Sequence, residues 1–91
     1  MLHIMRHPYA SDPYERCLAQ LETGGHLVLI EDAVYSWLRN DTRLKVLAQS
    51  ARVSVLSADV SARGIEVCDS VLIDYQGLVT LTEQHTPSMT W

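Results

Sequence analysis

The sequence predicts a single α/β domain built on a small open parallel sheet with helices on both faces. Two segments carry the prediction: HLVLIEDAVYSWL at 26–38 and VLIDYQGLVTLTEQH at 71–85. In each, a run of apolar residues gives way to carboxylates and then to apolar residues at helical spacing. That is how a parallel strand covered on both faces hands over to its crossover helix. Length supplies the third observation. Ninety-one residues make one domain, spanning 1–91, that buries only about three-fifths of its unfolded surface, so its stability alone is thin and partners are expected.

Leu2, Ile4 and Met5 begin the chain as a short strand that stops where His7 meets Pro8, since proline lacks an N–H and holds the preceding residue extended. Asp12 reads as an N-cap, with Pro13 at the first helical position and Glu15 closing a capping box. Tyr14, Cys17, Leu18 and Leu21 then form the i, i+3, i+4, i+7 stripe of a first helix, which Gly24 and Gly25 terminate. A second strand covers roughly 26–30. Asp32 is expected to cap a second helix with Val34, Trp37 and Leu38 on one side, and Asn40 and Asp41 to break it before a further stripe of Leu44, Leu47 and Ala48. Residues 52–57 give strand three. Asp59 is expected to cap a single turn ending at Arg63, with Gly64 in the left-handed closing position. Strand four is 71–73, and a last helix runs from Tyr75 or Gln76 to His85, where Pro87 prevents continuation. Right-handed crossovers give a sheet of four or five strands whose order the sequence leaves open.

Charge and composition exclude several functions. A net charge of −4, with Lys and Arg scattered, leaves no basic footprint for direct nucleic-acid binding. No apolar run approaches the roughly 20 residues that span a bilayer, and residues 1–7 are too interrupted for a signal peptide, so a soluble, cytoplasmic chain is expected. Cys17 and Cys68 stand too far apart for a redox pair or zinc knuckle and are expected to be free thiols.

Few residues are candidates for chemistry. Cys17 lies inside an apolar stripe, where free cysteine packs as a small hydrophobe. Cys68 sits between Glu66 and Asp69, whose charges oppose a thiolate. Glu31, Asp32 and Asp74 fall at strand carboxyl ends, where ligands bind in open parallel sheets. They could hold Mg²⁺ in a phosphoacceptor-like site with Asp74 as acceptor, but helix capping is a sufficient role for Asp32 and Asp74, and no suitably placed lysine completes such a site. No histidine pair has metal-ligand spacing, and Gly24 and Gly25 precede a strand instead of following one, so no metal or cofactor is expected. Trp37, Tyr75, Met89 and Trp91 are candidate interface residues, because large aromatics concentrate at interface cores; the alternative for Trp91 is that it folds back on its own sheet.

The opening MLHIMRHP with LIEDAVY, DVSARG and LIDYQGLVTLTEQH resembles the TusB/DsrH family of small sulfur-relay subunits, along the whole of 1–91. The resemblance implies a flavodoxin-like sheet and a sulfurtransferase complex with TusC-like and TusD-like subunits, arranged as a dimer of heterotrimers. Such a complex passes persulfide sulfur from TusA towards TusE for 2-thiolation of the wobble uridine of tRNA. In that family the principal sulfur-bearing cysteine belongs to the TusD-type partner, so this chain is expected to be mainly architectural. In the sulfur-oxidising branch, the segment CLAQLETGGHLVLIED is similar to the one in which DsrH carries its candidate sulfur-handling cysteine, and Cys17 matches that position. Many TusB members have no cysteine there. Both roles of Cys17 therefore stand as expectations.

Overall fold

The computed structural model describes residues 1–21, 24–85 and 87–91. Five parallel strands, β1 (Leu2–Met5), β2 (His26–Leu29), β3 (Val53–Leu56), β4 (Leu72–Ile73) and β5 (Ser88–Thr90), lie in the order β4-β3-β2-β1-β5. The expected open α/β sheet of flavodoxin-like type is what forms. Steps from β1 through β4 all move in one direction across the sheet, so right-handed crossovers place α1 (Asp12–Leu21), α2 (Thr42–Gln49) and α3 (Ser57–Ala62) on one face. The return from β4 to β5 runs the opposite way and puts α4 (Tyr75–Gln84) on the other.

Register and burial agree with this layering. Met5, Leu29 and Val55 share a face by pairing, as do Leu27 and Val53. They form one core with Tyr14, Cys17, Leu18 and Leu21 of α1, Leu44 and Leu47 of α2 and Val60 of α3. Leu2, Val28 and Leu56 are buried outside that cluster, on the face α4 crosses. No side chain of α4 is fully buried, because one ten-residue helix must span the face that three helices cover opposite. Gly77 lets α4 approach: a Cβ there would stand 3.2 Å from Ile73 Cβ.

Several local expectations are corrected. The first helix is capped by Ser11, one residue before Asp12: its Oγ accepts from the Tyr14 N–H at 3.4 Å while its own O–H donates to the Pro8 carbonyl. The second helix is a nine-residue 3₁₀ helix, Glu31–Arg39, and Asp32 does not cap it, since Arg63 has captured its carboxylate at 3.2 Å. Asp59 lies within α3 and accepts from the Glu31 N–H at 2.8 Å instead of capping. Asn40, with φ of 55°, and Asp41, which accepts from the Arg43 N–H, separate the 3₁₀ segment from α2, so these are two helices. Asp74 caps α4 as expected, accepting from the Gly77 N–H at 2.8 Å. The fifth strand is the tail itself, paired to β1.

Candidate functional site

Cys17 sits in the second turn of α1 with its side chain directed into the main core, and its exposure is 0 %. Burial pushes its thiol up to about 12. No hydrogen bond reaches its Sγ among the described residues, and no cation is placed to favour a thiolate. The helix that carries it is clamped at its amino end. Tyr14 O–H donates to Asp41 Oδ2 at 2.9 Å, and Arg43 joins Asp41 at 2.9 Å to Glu15 at 2.6 Å. Burial alone would raise the Asp41 carboxyl, but hydrogen bonds from Arg43 and Tyr14 outweigh it and hold the group below the usual range. Burial and the Asp41 acceptor both push the Tyr14 phenol upwards. Presenting Cys17 to another protein's sulfur therefore requires lifting α1, with loss of this network and of the burial of Tyr14, Leu18 and Leu21. Cys68 is exposed in the loop before β4, with Sγ 3.4 Å from Ser70 Oγ.

The three carboxylates do not converge. Asp74 is engaged as a cap, Asp32 pairs with Arg63, and Glu31 contributes its backbone N–H to Asp59. Among the described residues no group of three or more His, Cys, Asp or Glu side chains could hold a metal ion. The sequence marked Asp59 and Arg63 only as the cap and the end of a helical turn; their pairing, signalled by the i, i+4 spacing within DVSARG, makes them part of this edge. Through them the LIEDAVY and DVSARG segments meet at the carboxyl edge of β2 and β3.

Of the aromatic candidates, Trp91 is partly buried against the main core. Its backbone N–H donates to the Ile4 carbonyl at 2.8 Å, and its indole N–H donates to His3 Nδ1 at 3.1 Å. Trp37 also packs against the core. Tyr75, 61 % exposed at the start of α4, and Met89 on the outer strand face solvent in this chain. Val79, one turn beyond Tyr75, is exposed too. On the α4 side of the sheet, buried His26 shares a 2.9 Å hydrogen bond with Ser54 Oγ and lies 5.7 Å from the His85 ring.

A groove of about 330 Å³ between α1 and α2 is lined by Leu18, Leu21, Val46 and Leu47 with Arg43 and Arg52 at its rim. Neither guanidinium is free for a ligand: Arg43 holds Asp41 and Glu15, and Arg52 donates to the Gly25 and Leu21 carbonyls at 2.8 and 2.6 Å. No described helix is long and apolar enough to cross a membrane.

Comparison with known proteins supplies what this geometry lacks, a context. Residues 6–88 match the family model described as DsrH like protein. The chain is 34% identical over 95 residues to Protein TusB of Pectobacterium parmentieri, covering 96% of this chain and 100% of that protein. It is 33% identical to Protein TusB of Escherichia coli strain K12 over 100% of both chains, and 32% identical to that of Buchnera aphidicola, again over 100% of both. With a match over nearly its whole length and end-to-end similarity to these relatives, the chain belongs to the TusB/DsrH family.

Proposed function

We propose that this chain is the mainly architectural subunit of a cytoplasmic sulfur-relay complex of the TusBCD type. In this reading it stands beside TusC-like and TusD-like subunits in a dimer of heterotrimers. The assembly receives persulfide sulfur from a TusA-like carrier and passes it towards a TusE-like one, for 2-thiolation of the tRNA wobble uridine. The observation that carries the architectural role is Cys17 itself. A persulfide relay needs a thiol that a partner's sulfur can reach and that ionises near neutral pH. Cys17 has no exposure, and its thiol is pushed up to about 12. Exposed Tyr75, Val79 and Met89, with α4 burying none of its side chains fully, support a role completed by other subunits.

The test joins assembly to chemistry. Co-expressed with TusC-like and TusD-like subunits, the chain is expected to elute as part of a larger complex. In cells deprived of their own counterpart, its Cys17→Ser variant is expected to restore 2-thiouridine as the unaltered chain does. A persulfide mapped to Cys17 by mass spectrometry, with thiolation lost in Cys17→Ser and the complex intact, makes the chain a DsrH-type sulfur carrier and overturns the architectural reading. Failure to join any complex overturns the relay assignment.

A further inference from the structure

The segment Glu31–Arg39 is wound in a way its sequence opposes. Its residues with Ile30 carry an α-helical apolar stripe: Ile30, Ala33, Val34, Trp37 and Leu38 stand at i, i+3, i+4, i+7 and i+8. At about 100° per residue these five fit within an arc of about 140°, with Ser36 about 60° outside it. The segment is instead a 3₁₀ helix of nine residues, where runs beyond about four are uncommon because the hydrogen-bond geometry is poorer and side chains three apart eclipse.

Burial follows the threefold winding. Between the exposed end residues Glu31 and Arg39, Ala33 and Ser36 are buried in one column, Val34 is buried and Trp37 half-buried in a second, and Asp32, Tyr35 and Leu38 form an exposed third. Two misplacements result. Leu38 is 53 % exposed, and Ser36, with no exposure, leaves its Oγ without any hydrogen-bond partner. An α-helical winding would correct both together, turning Leu38 inward and Ser36 out to water.

The 3₁₀ form is held from its ends. Glu31 has a φ of 51°, in the left-handed region that a non-glycine residue enters only when its surroundings impose it, and Asp59 Oδ2 grips its N–H at 2.8 Å. Arg63 fastens Asp32 and Asp59 to each other at 3.2 and 3.4 Å. Asn40, with φ of 55°, closes the other end. Nine residues span about 18 Å as 3₁₀ and about 13.5 Å as α, and the two left-handed end residues are the joints able to absorb that difference.

We propose that residues 31–39 form a two-state strap, held in a 3₁₀ form by the Asp59–Arg63 clasp and able to rewind into an α-helix that withdraws Leu38 and exposes Ser36. Anything that binds the Tyr35–Leu38 edge selects the 3₁₀ form, and anything that draws Asp59 or Arg63 away selects the α form.

The test uses the whole chain with Cys68→Ser, so that Cys17 is the only native thiol. Ser36→Cys places a second thiol on the strap. A small thiol reagent then reads two events: the introduced strap thiol reports rewinding, and Cys17 in the core reports global unfolding. The strap thiol is expected to react at least tenfold faster than Cys17. Adding Asp59→Asn is expected to raise the strap-thiol rate a further severalfold, while Cys17 reactivity continues to follow global stability alone. In parallel, nuclear Overhauser contacts are read in the otherwise unaltered chain. Removing the orphan hydroxyl with Ser36→Ala should strengthen the i, i+2 contacts typical of 3₁₀ winding, and Asp59→Asn should bring up the i, i+4 contacts of an α-helix. Equal rates at the strap thiol and Cys17 in both backgrounds, or i, i+2 contacts indifferent to either substitution, overturn the proposal.

Discussion

Acid should weaken this fold through one histidine. His26 is 9 % exposed at the start of β2, bonded through Nε2 to Ser54 Oγ. Burial first, then the neighbouring His85 and Arg52, lower its pKa from 6.5 to about 4. The unfolded chain therefore binds the proton more readily than the folded one. The stability this group contributes is fully present above about pH 6.5 and is lost as pH falls towards 4. Linkage gives a loss of about 2 kcal/mol by about pH 5 and about 3 kcal/mol by about pH 4. A domain of this length is stable by only about 5–14 kcal/mol, so the effect is a large share of the whole. The assay is urea unfolding at a series of pH values, for the natural chain and for His26→Gln, whose amide reaches the place of Nε2 and does not titrate. Carboxylates such as Asp41 contribute their own acid dependence to both proteins, so the difference between the two curves isolates His26. Parallel curves between pH 7 and 4 would falsify the assignment.

Three further substitutions have directional outcomes. Cys17→Ala removes one buried sulfur and is expected to cost about 1 kcal/mol in urea unfolding, with wobble-uridine thiolation near normal in cells; a stable variant with thiolation abolished contradicts this. Asp74→Ala removes the α4 cap and should cost about 1 kcal/mol, while Mg²⁺ should leave the melting temperature of the natural chain unmoved; a Mg²⁺-dependent rise that vanishes in the variant would restore the phosphoacceptor reading. Trp91→Ala gives up core packing and the bond to His3, at about 3 kcal/mol of chain stability. Unchanged stability together with weakened complex assembly would instead make Trp91 an interface residue.

What the sequence made legible was whatever depends on local chemistry. An apolar run followed by Asp74 and a helical stripe can be read in one direction only, and β4, the cap and α4 fall where that reading places them. Gly64, at φ of 63°, does close its helix. Elsewhere two local signals competed and distant residues chose. Ser11 and Asp12 are both good caps, and the turn in which the Ser11 N–H and O–H reach the Pro8 carbonyl selects the first. The spacing of Val34, Trp37 and Leu38 promised a helix capped by Asp32, yet Asp59 and Arg63, about thirty residues on, hold its first turn in a 3₁₀ winding. Three residues of tail show no alternation to mark a strand; β5 exists because Trp91 anchors beside Ile4 and His3. The helical stripe containing Cys17 indicated burial, while the bond between Tyr14 and Asp41 that secures that helix spans 27 positions and has no local signature.

That bond decides how far Cys17 can be drawn into chemistry. Exposing its sulfur means undocking α1, which returns Tyr14, Leu18 and Leu21 to water at about 1.5–3 kcal/mol for each side chain, before the Asp41–Arg43–Glu15 network is counted. Losing the burial of three such side chains removes roughly 5–9 kcal/mol, the same size as the stability of a domain this small. Local opening at Cys17 is therefore expected to cost nearly as much as global unfolding. The sheet face under α4 has the opposite character. It is covered by a single helix with no fully buried side chain, so its exposed residues can meet another protein without disturbing the core. A clamped, buried cysteine on one face and a helix with no fully buried side chain on the other therefore occupy opposite sides of one sheet.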